Sequence, residues 1–245
     1  MIDELKMMYY QGCPYEVNEK IKMISPTVGD IIEFGDSRYY SVVFSLTCIP
    51  SDLISTLWDM GIDWETFDDF ELFIMMTRNL SKEDTSLIFE DLNLKAMKIS
   101  VNNETEDLCL VDEETGQVID RLAYMKIVEY LRKYHNITPK VKRARDKGTK
   151  RILITLDRED KAKAMKEAEG KSRLKPMISA MMRYPGFKYK SNELKELTMY
   201  EFMDTVRGSA VYISSTALLQ GSYSGFCDTS KIEKEAFDWM REPKS

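Results

Sequence analysis

Histidine is nearly absent from this sequence: the chain of 245 residues contains one, His135. Histidine is the side chain most often used for general acid–base catalysis near neutral pH. A Ser–His–Asp or Cys–His site would therefore depend on His135, which lies near the predicted end of a helix beside Tyr134 and Asn136. The G-x-S-x-G motif that presents a nucleophilic serine is also missing. We expect a structural role for His135, no catalytic residues and no enzymatic activity.

Cysteine is sparse as well. The four cysteines are widely separated and have neither C-x-x-C spacing nor companion histidines: Cys13, Cys48, Cys109 and Cys227. This pattern fits neither a zinc site nor a disulfide framework, so we interpret them as reduced thiols, mostly small buried apolar groups.

A cluster of carboxylates offers ligands for a divalent cation in "WETFDDFELF". Asp68 and Asp69 are adjacent, however, and adjacent residues project in different directions from a helix. A solvated helix face explains them better than a metal site. We therefore expect no metal and no cofactor.

Long apolar runs and a secretory signal are missing too. No stretch approaches the roughly 18–20 apolar residues that a membrane-spanning helix needs. The stretch "MIDELKMMYYQGCPYEV" is acidic where a secretory signal is basic, and no apolar stretch followed by small residues appears there. We expect a protein of the cytoplasm that is not secreted and has no membrane partner.

Charge is distributed unevenly along the chain. Residues 1–139 carry a net charge of −14 and residues 140–245 a net charge of +8. The two parts either attract each other or face different partners.

The basic stretch at residues 140–151 has almost no core-forming side chains, which predicts an exposed linker or loop that trypsin cuts first. Salt is expected to weaken the association of the two fragments.

The same basic stretch raises the possibility of nucleic-acid binding, because lysine and arginine neutralise phosphates. Acidic side chains interrupt the charge between residues 140 and 175, and no aromatic residues are interleaved for base stacking. We therefore expect no nucleic-acid partner.

Hydrophobic periodicity predicts a mainly α chain with a small antiparallel β element, an α+β fold in which helical N- and C-terminal parts flank a β meander. Before residue 96 the spacing is mostly helical, with a break between two helices at Gly35 and a helix stop at Gly61. Ser51 is a predicted N-cap, and Ser81 with Asp84 forms a predicted capping box.

Between residues 96 and 120 the pattern alternates, with turns at Asn102-Asn103 and Thr115-Gly116, before "RLAYMKIVEYLRKYH" returns to helical spacing. We divide the chain into a helical N-terminal region (1–95), a small β meander plus helix (96–139), a basic linker and charged helix (140–175) and a helical C-terminal region (176–245). In the third region, "ILITL" predicts a strand, and Asp157 is a predicted cap of a charged helix that ends at Gly170.

The stretch "GSYSG" at residues 221–225 admits two interpretations. A phosphate-binding loop needs G-x-x-x-x-G-K-[ST] after a strand, whereas this stretch follows a helical pattern and has Phe226 where the lysine belongs. The alternative is a hinge in which Gly221 closes a helix, Gly225 permits a second turn, and Asp228 or Thr229 caps a terminal helix.

The hinge interpretation gives a set of candidate residues for partner binding or chain reversal: Gly221, Tyr223, Gly225, Phe226, Phe237 and Trp239. Their aromatic side chains would contact either the protein's own core or the groove of a partner. We favour the protein's own core, because three exposed aromatic residues in one short segment make an apolar patch that soluble proteins seldom tolerate.

Several stretches together resemble proteins encoded among the tail genes of bacteriophages and prophages of Gram-positive hosts. They are "SPTVGDIIEFGDSRYYSVVFSLTCIPSDLISTLWDMGIDWETFDDFELF" near the start and "LKPMISAMMRYPGFKY", "LTMYEFMDTVR" and "LLQGSYSGFCDTSKIEKEAFDWM" near the end. The chain is similar there to tail assembly chaperones and related tail or baseplate assembly proteins. The likeness leaves out the β meander and the basic stretch.

The resemblance implies a mostly helical, non-enzymatic protein of the host cytoplasm that binds the tape measure protein or other tail proteins until assembly, or a second copy of itself. It offers no active-site residues to carry over. The alternative that it leaves open is a structural component of the virion tail or baseplate. The sixteen methionines fit such a binding role, because thioether side chains repack against varied partners, but they fit an ordinary core equally well.

Overall fold

A computed structural model of the protein describes residues 9–101, 106–168, 172–225 and 230–242. The described part of the chain is mainly helical and has one two-stranded and one three-stranded antiparallel sheet, which confirms the predicted fold class. Its strands are β1 (Tyr15–Asn18), β2 (Ile21–Met23), β3 (Lys98–Val101), β4 (Leu108–Val111) and β5 (Val118–Ile119).

The helices follow this order along the chain. They are α1 (Val28–Phe34), α2 (Asp36–Thr47), α3 (Ile54–Asp59), α4 (Asp69–Thr77), α5 (Lys82–Thr85), α6 (Arg121–His135), α7 (Lys147–Ala168), α8 (Leu174–Arg183), α9 (Ser191–Glu196) and α10 (Met199–Tyr223), with short 3₁₀ turns at Pro50–Asp52 and Lys234–Phe237.

The predicted β meander is present as the sheet β3–β4–β5. Lys98 faces Val111 in the first strand pair, and Leu110 faces Ile119 in the second. Gly116 makes the second turn with a φ of +67°, a conformation that costs glycine little. The first predicted turn, at Asn102-Asn103, lies outside the described residues.

Local capping signals explain where several helices begin and end. Gly35 has a φ of +94° and separates α1 from α2, and Gly61 has a φ of +77° just after α3. Ser81 and Asp84 exchange the reciprocal hydrogen bonds of a capping box at α5. These predictions are confirmed.

The starts of α1 and α10 lie side by side, although they are far apart in sequence. Thr27 and Thr198 each cap their helix, and the two residues form an antiparallel backbone bridge. The N–H of Val28 donates to the carbonyl of Leu197, and the N–H of Met199 donates to the carbonyl of Pro26, both at 2.9 Å. This contact joins the N- and C-terminal parts of the chain.

The main core surrounds α6 and combines buried side chains from both parts of the chain. At its centre Tyr9 packs edge-on against Tyr130 and Tyr134 of α6, with ring centroids 5.2 and 5.6 Å away. The ring of Tyr200 of α10 is tilted by 49° to that of Tyr9, with centroids 4.9 Å apart. Aromatic contacts of this kind contribute beyond the area that they bury. The helical N- and C-terminal regions of the sequence analysis therefore share one core.

The stretch "ILITL" is part of helix α7, so the predicted strand is wrong. A short apolar run cannot separate strand from helix by itself. Burial decides the matter: Ile154 is buried while Ile152 and Leu156 are exposed, whereas a strand would bury all three on one face.

Two further capping predictions are wrong. Asp157 lies in the interior of α7 and not at its start, and its buried carboxylate contacts α3. Ser51 lies within the 3₁₀ turn before α3, where its buried hydroxyl accepts a hydrogen bond of 3.0 Å from the N–H of Lys142. Both side chains contact residues that are far away in the sequence, and a local capping pattern contains no information about such contacts.

Candidate interaction surface

The C-terminal segment at residues 230–242 packs along the distal half of α10. The fully buried hydroxyl of Ser215 donates toward the carbonyls of Ala236 and Asp238, at 3.0 and 3.3 Å. Arg241 donates to the carbonyl of Glu235 at 3.1 Å and to the Ser215 hydroxyl at 3.3 Å. Polar contacts of Ser215 and Arg241 therefore contribute to holding this segment against the helix.

The prediction that Gly221 closes a helix is wrong. Helix α10 continues through Gly221 to Tyr223, because glycine weakens a helix without ending it, so Gly221 closes no helix. Gly225 has a φ of +71° and follows the last helical turn, and the predicted chain reversal after it lies outside the described residues. Phe226, like the predicted caps Asp228 and Thr229, lies outside the described residues.

The predicted terminal helix is a single 3₁₀ turn that ends at Phe237, so Trp239 follows it and does not belong to it. Phe237 is half-buried, while Tyr223 is 85% exposed at the end of α10. The segment thus contacts the protein's own α10, outside the main core.

Exposed apolar side chains remain where this segment meets α10. Trp239 packs edge-on against Tyr212, with ring centroids 6.0 Å apart, yet it stays 53% exposed. Tyr212 and Met240 are exposed as well. We call these three residues the α10 patch. Next to the segment lies a cavity of about 370 Å³ lined by Arg207, Val211 and Arg241 among others.

Sequence reasoning missed Tyr212 and Met240. The sequence of α10 has an apolar stripe through Tyr200, Met203 and Val206, and helical spacing places Ile213 on the same face. The structure exposes Ile213 and Tyr212. One feature of the sequence could have indicated this surface: Tyr212 is an apolar residue that does not lie on the core-facing stripe. A helix with apolar residues on two faces has a second face that can contact another element or a partner.

His135 has the structural surroundings that the sequence analysis expected. Its Nε2 lies 3.0 Å from the hydroxyl of Tyr39, and its ring packs against Tyr39, Tyr40 and Tyr134. Burial lowers the pKa of His135 to about 3, because the cationic form loses its hydration there. The imidazole is therefore neutral near pH 7.

The described cysteines are free thiols, and two of them are buried. Burial raises the pKa of Cys48 to about 12, so this thiol stays protonated. The Cys109 thiol lies 3.5 Å from the carbonyl of Ser100, a weak hydrogen bond. Cys13 is partly exposed, and Cys227 lies outside the described residues.

The carboxylates of Asp68 and Asp69 border a cleft of about 820 Å³ between α6 and the loop before α4. Asp68 caps α4 and accepts two hydrogen bonds from Arg121, at 3.0 and 3.2 Å. Burial raises the pKa of Asp69, while the nearby charge of Arg132 opposes that effect. Within the described ranges, no three His, Cys, Asp or Glu side chains are grouped so that they could hold a metal ion.

Comparison with known proteins adds no relative: the chain matches no protein family, no curated protein and no solved structure. Among the helices that the structure describes, none combines the length and the apolar character needed to cross a membrane. The α10 patch is the candidate surface for binding a partner.

Proposed function

We propose that this protein is a non-enzymatic phage tail assembly protein, a tail assembly chaperone, that binds the tape measure protein or another tail protein. The resemblance of the sequence supplies the class of protein. The observation that carries the proposal is the α10 patch, where Tyr212 and Trp239 are in contact and exposed and Met240, next to Trp239 in the sequence, is exposed as well. Tryptophan and tyrosine are the residues enriched at the energetic centres of protein interfaces.

The composition of this patch suits a partner with apolar residues repeated along an extended segment. Met240 is unbranched and can repack against different side chains, while Trp239 offers a large rigid surface. The polar contacts of Ser215 and Arg241 fix the patch in place before binding, which lowers the entropy that binding costs. The binding energy would therefore come from the apolar side chains and not from ordering the segment.

Co-expression with the tape measure protein of the same phage or prophage tests the proposal directly. We expect the two proteins to co-purify and the tape measure protein to gain solubility. Changing Tyr212 and Trp239 together to Ala should abolish co-purification while the circular dichroism spectrum stays unchanged. If the tape measure protein gains no solubility and does not co-purify with the unaltered protein, the proposal fails.

A matched control is Tyr189→Ala, which removes an exposed aromatic residue from the connection between α8 and α9. This variant should bind as the unaltered protein does. Equal loss of binding in both variants would mean that the α10 patch has no special role. Mass spectrometry of purified particles separates the chaperone from a structural tail or baseplate component, because a chaperone is absent from mature tails.

A further inference from the structure

Helix α7 contacts the rest of the protein mainly through one stripe that packs on α3. The side chains of this stripe are three or four positions apart and face α3 and the residues just after it: Lys150, Ile154, Asp157 and Lys161. Ile154 is its one buried apolar member, and Leu153 beside it is half-buried. The stripe is thus mostly polar, although helices usually dock through apolar residues.

Asp157 forms the buried part of this contact. Its carboxylate accepts hydrogen bonds from the N–H and the hydroxyl of Ser55 on α3, at 2.8 and 2.6 Å, and it lies 2.8 Å from the ammonium of Lys161. Burial opposes ionisation of this carboxyl group, but the contacts with Lys161 and Ser55 outweigh it, so the pKa of Asp157 is lowered. The docked helix therefore depends on a charged network.

Lys150 forms a second charged contact at the start of α7. Its ammonium pairs with Asp63 and with Glu65, the latter at 3.1 Å, and it lies over the ring of Trp64 at 4.8 Å. The ring of Trp58 is 5.8 Å away. The hydrogen bond with Asp63 and that with Glu65 raise the pKa of Lys150. The Asp63 side chain is 42% exposed, so salt screens this contact in part.

The extended residues before α7 are fixed by hydrogen bonds to the same region. The indole N–H of Trp64 donates to the carbonyl of Lys142 at 3.2 Å, and the N–H of Ala144 donates to Glu65 at 2.6 Å. Beyond the far end of α7, Asp36 accepts hydrogen bonds from Ser172 and Leu174 at 2.8 and 3.0 Å. Residues 140–168 thus cross the surface between two fixed points, and we call them the α7 strap.

Beneath the strap lies an apolar cluster separate from the main core. It is formed by the buried side chains of Leu53, Ile54, Leu57 and Trp64 with Cys48 and Leu72, and Ile154 completes it from above. Removing α7 would expose this surface as a groove shaped by a helix. Amphipathic helices bind such grooves through residues at i, i+3, i+4 and i+7.

We propose that the α7 strap is a salt-sensitive cover, and that its release opens the groove of Leu53, Ile54, Leu57 and Trp64 to an amphipathic helix of a partner. The occupant carries an aliphatic residue followed three positions later by a carboxylate, as Ile154 and Asp157 do in α7. This inference goes beyond the proposed function, because it concerns a different surface and does not depend on the α10 patch.

Tryptophan fluorescence tests the release. The three tryptophans are Trp58, Trp64 and Trp239, so a Trp239→Phe background leaves Trp64 of the groove and Trp58, which both lie near Lys150 of the strap. Raising the salt concentration from about 0.01 to about 1 M shortens the Debye length from about 30 to about 3 Å. We expect the emission to shift to the red while the far-ultraviolet circular dichroism stays constant. Lys150→Met should show part of this shift at low salt and a smaller salt dependence, because Arg158 keeps its pair with Asp59.

Peptide binding tests the groove. Ile154→Asp weakens docking of the strap in the full chain but leaves every residue on the α3 side unchanged. A labelled peptide of residues 147–168 should bind this variant and not the unaltered protein, and the same peptide carrying Ile154→Asp should not bind. Equal peptide binding to both proteins, binding to neither, or emission unaffected by salt and by Lys150→Met would overturn the inference.

Discussion

At the scale of single residues, His135 is the one histidine of the sequence, and histidine is the side chain whose ordinary pKa lies near neutral pH. Aromatic rings pack around it, and the Tyr39 hydroxyl at 3.0 Å is compatible with a neutral ring. The pKa of about 3 in the folded protein compares with about 6.5 for an unfolded histidine. Below pH 6.5 the unfolded chain therefore binds a proton that the folded protein does not bind.

This displacement predicts how stability depends on pH. Because the folded pKa is depressed, stability is complete above pH 6.5 and is lost as the pH falls toward 3. Between about pH 7 and pH 5 the free energy of unfolding should fall by about 2 kcal/mol from this group. Urea unfolding at several pH values measures it. His135→Gln retains a partner for Tyr39 and should remove this part of the pH dependence; an unchanged dependence would contradict the prediction.

Trp239 gives a second prediction at this scale. The sequence interpretation that places it in the core implies a loss of about 3–5 kcal/mol on truncation to alanine. The side chain is instead 53% exposed, and within the described part of the chain its aromatic partner is Tyr212. Trp239→Ala should therefore lower the free energy of unfolding by about 1 kcal/mol and the melting temperature by about 2–4 °C. A much larger decrease, measured by calorimetry, would place Trp239 in the core after all.

At the scale of elements, local signals predicted much of the fold. The capping box of Ser81, the break at Gly35 and the β3–β4–β5 meander each depend on residues a few positions apart, so the sequence displays them. The hairpin β1–β2 was not predicted; the Asn18 side chain forms its turn by accepting hydrogen bonds from the N–H groups of Lys20 and Ile21.

Helix α7 shows why the rest was not predictable. Its four apolar residues near position 154 suit a strand as well as a helix, and its docking residue Asp157 finds its partner Ser55 102 positions away in the chain. The candidate surface was missed in part for the same reason, because the exposure of Tyr212 depends on where residues 230–242 lie. Hydrophobic periodicity identifies the face of a helix that is buried in the core. It does not show whether a second apolar face is covered by another part of the chain or exposed to solvent.

The network of Asp157 gives the prediction at this scale. Asp157→Ala would leave the N–H and hydroxyl of Ser55 without their acceptor, at a cost of about 1–3 kcal/mol in docking free energy. Trypsin should then cut residues 140–166 about tenfold faster or more, since each 1.4 kcal/mol changes the open population about tenfold.

The control for this experiment is Asp160→Ala, which removes an exposed carboxylate from the same helix. It should leave the cleavage rate unchanged. In the unaltered protein we expect the first cuts at the exposed Arg143, Arg145 and Lys147, because Lys142 and Lys150 are fixed by contacts with Ser51, Asp63 and Glu65. Equal acceleration by both substitutions would show that the Ser55 network does not hold α7.

At the scale of the whole molecule, the uneven charge has a partial explanation within the chain. The basic part contributes Lys150 to Asp63 and Glu65, and Arg158 to Asp59, so acidic and basic parts attract each other at the α7 strap. These pairs are partly exposed and worth little individually. The two parts are joined more extensively by apolar packing, because the main core includes buried residues of α8, α9 and α10.

Charge alone predicts that salt weakens the association of the two parts of the chain. Their apolar packing predicts that the association resists salt. If the chain is cut at a specific protease site inserted between Arg145 and Asp146, the two fragments should stay associated in about 1 M salt, because screening removes charge contacts and leaves apolar burial intact. Leu174, Met199 and Phe202 bury their side chains in the shared core, and the backbone bridge of Thr27 and Thr198 supports the same contact. Size-exclusion chromatography measures the association, and urea serves as the control that should separate the fragments. Separation by salt alone would show that charge, and not the core around α6, holds the two parts of the chain together.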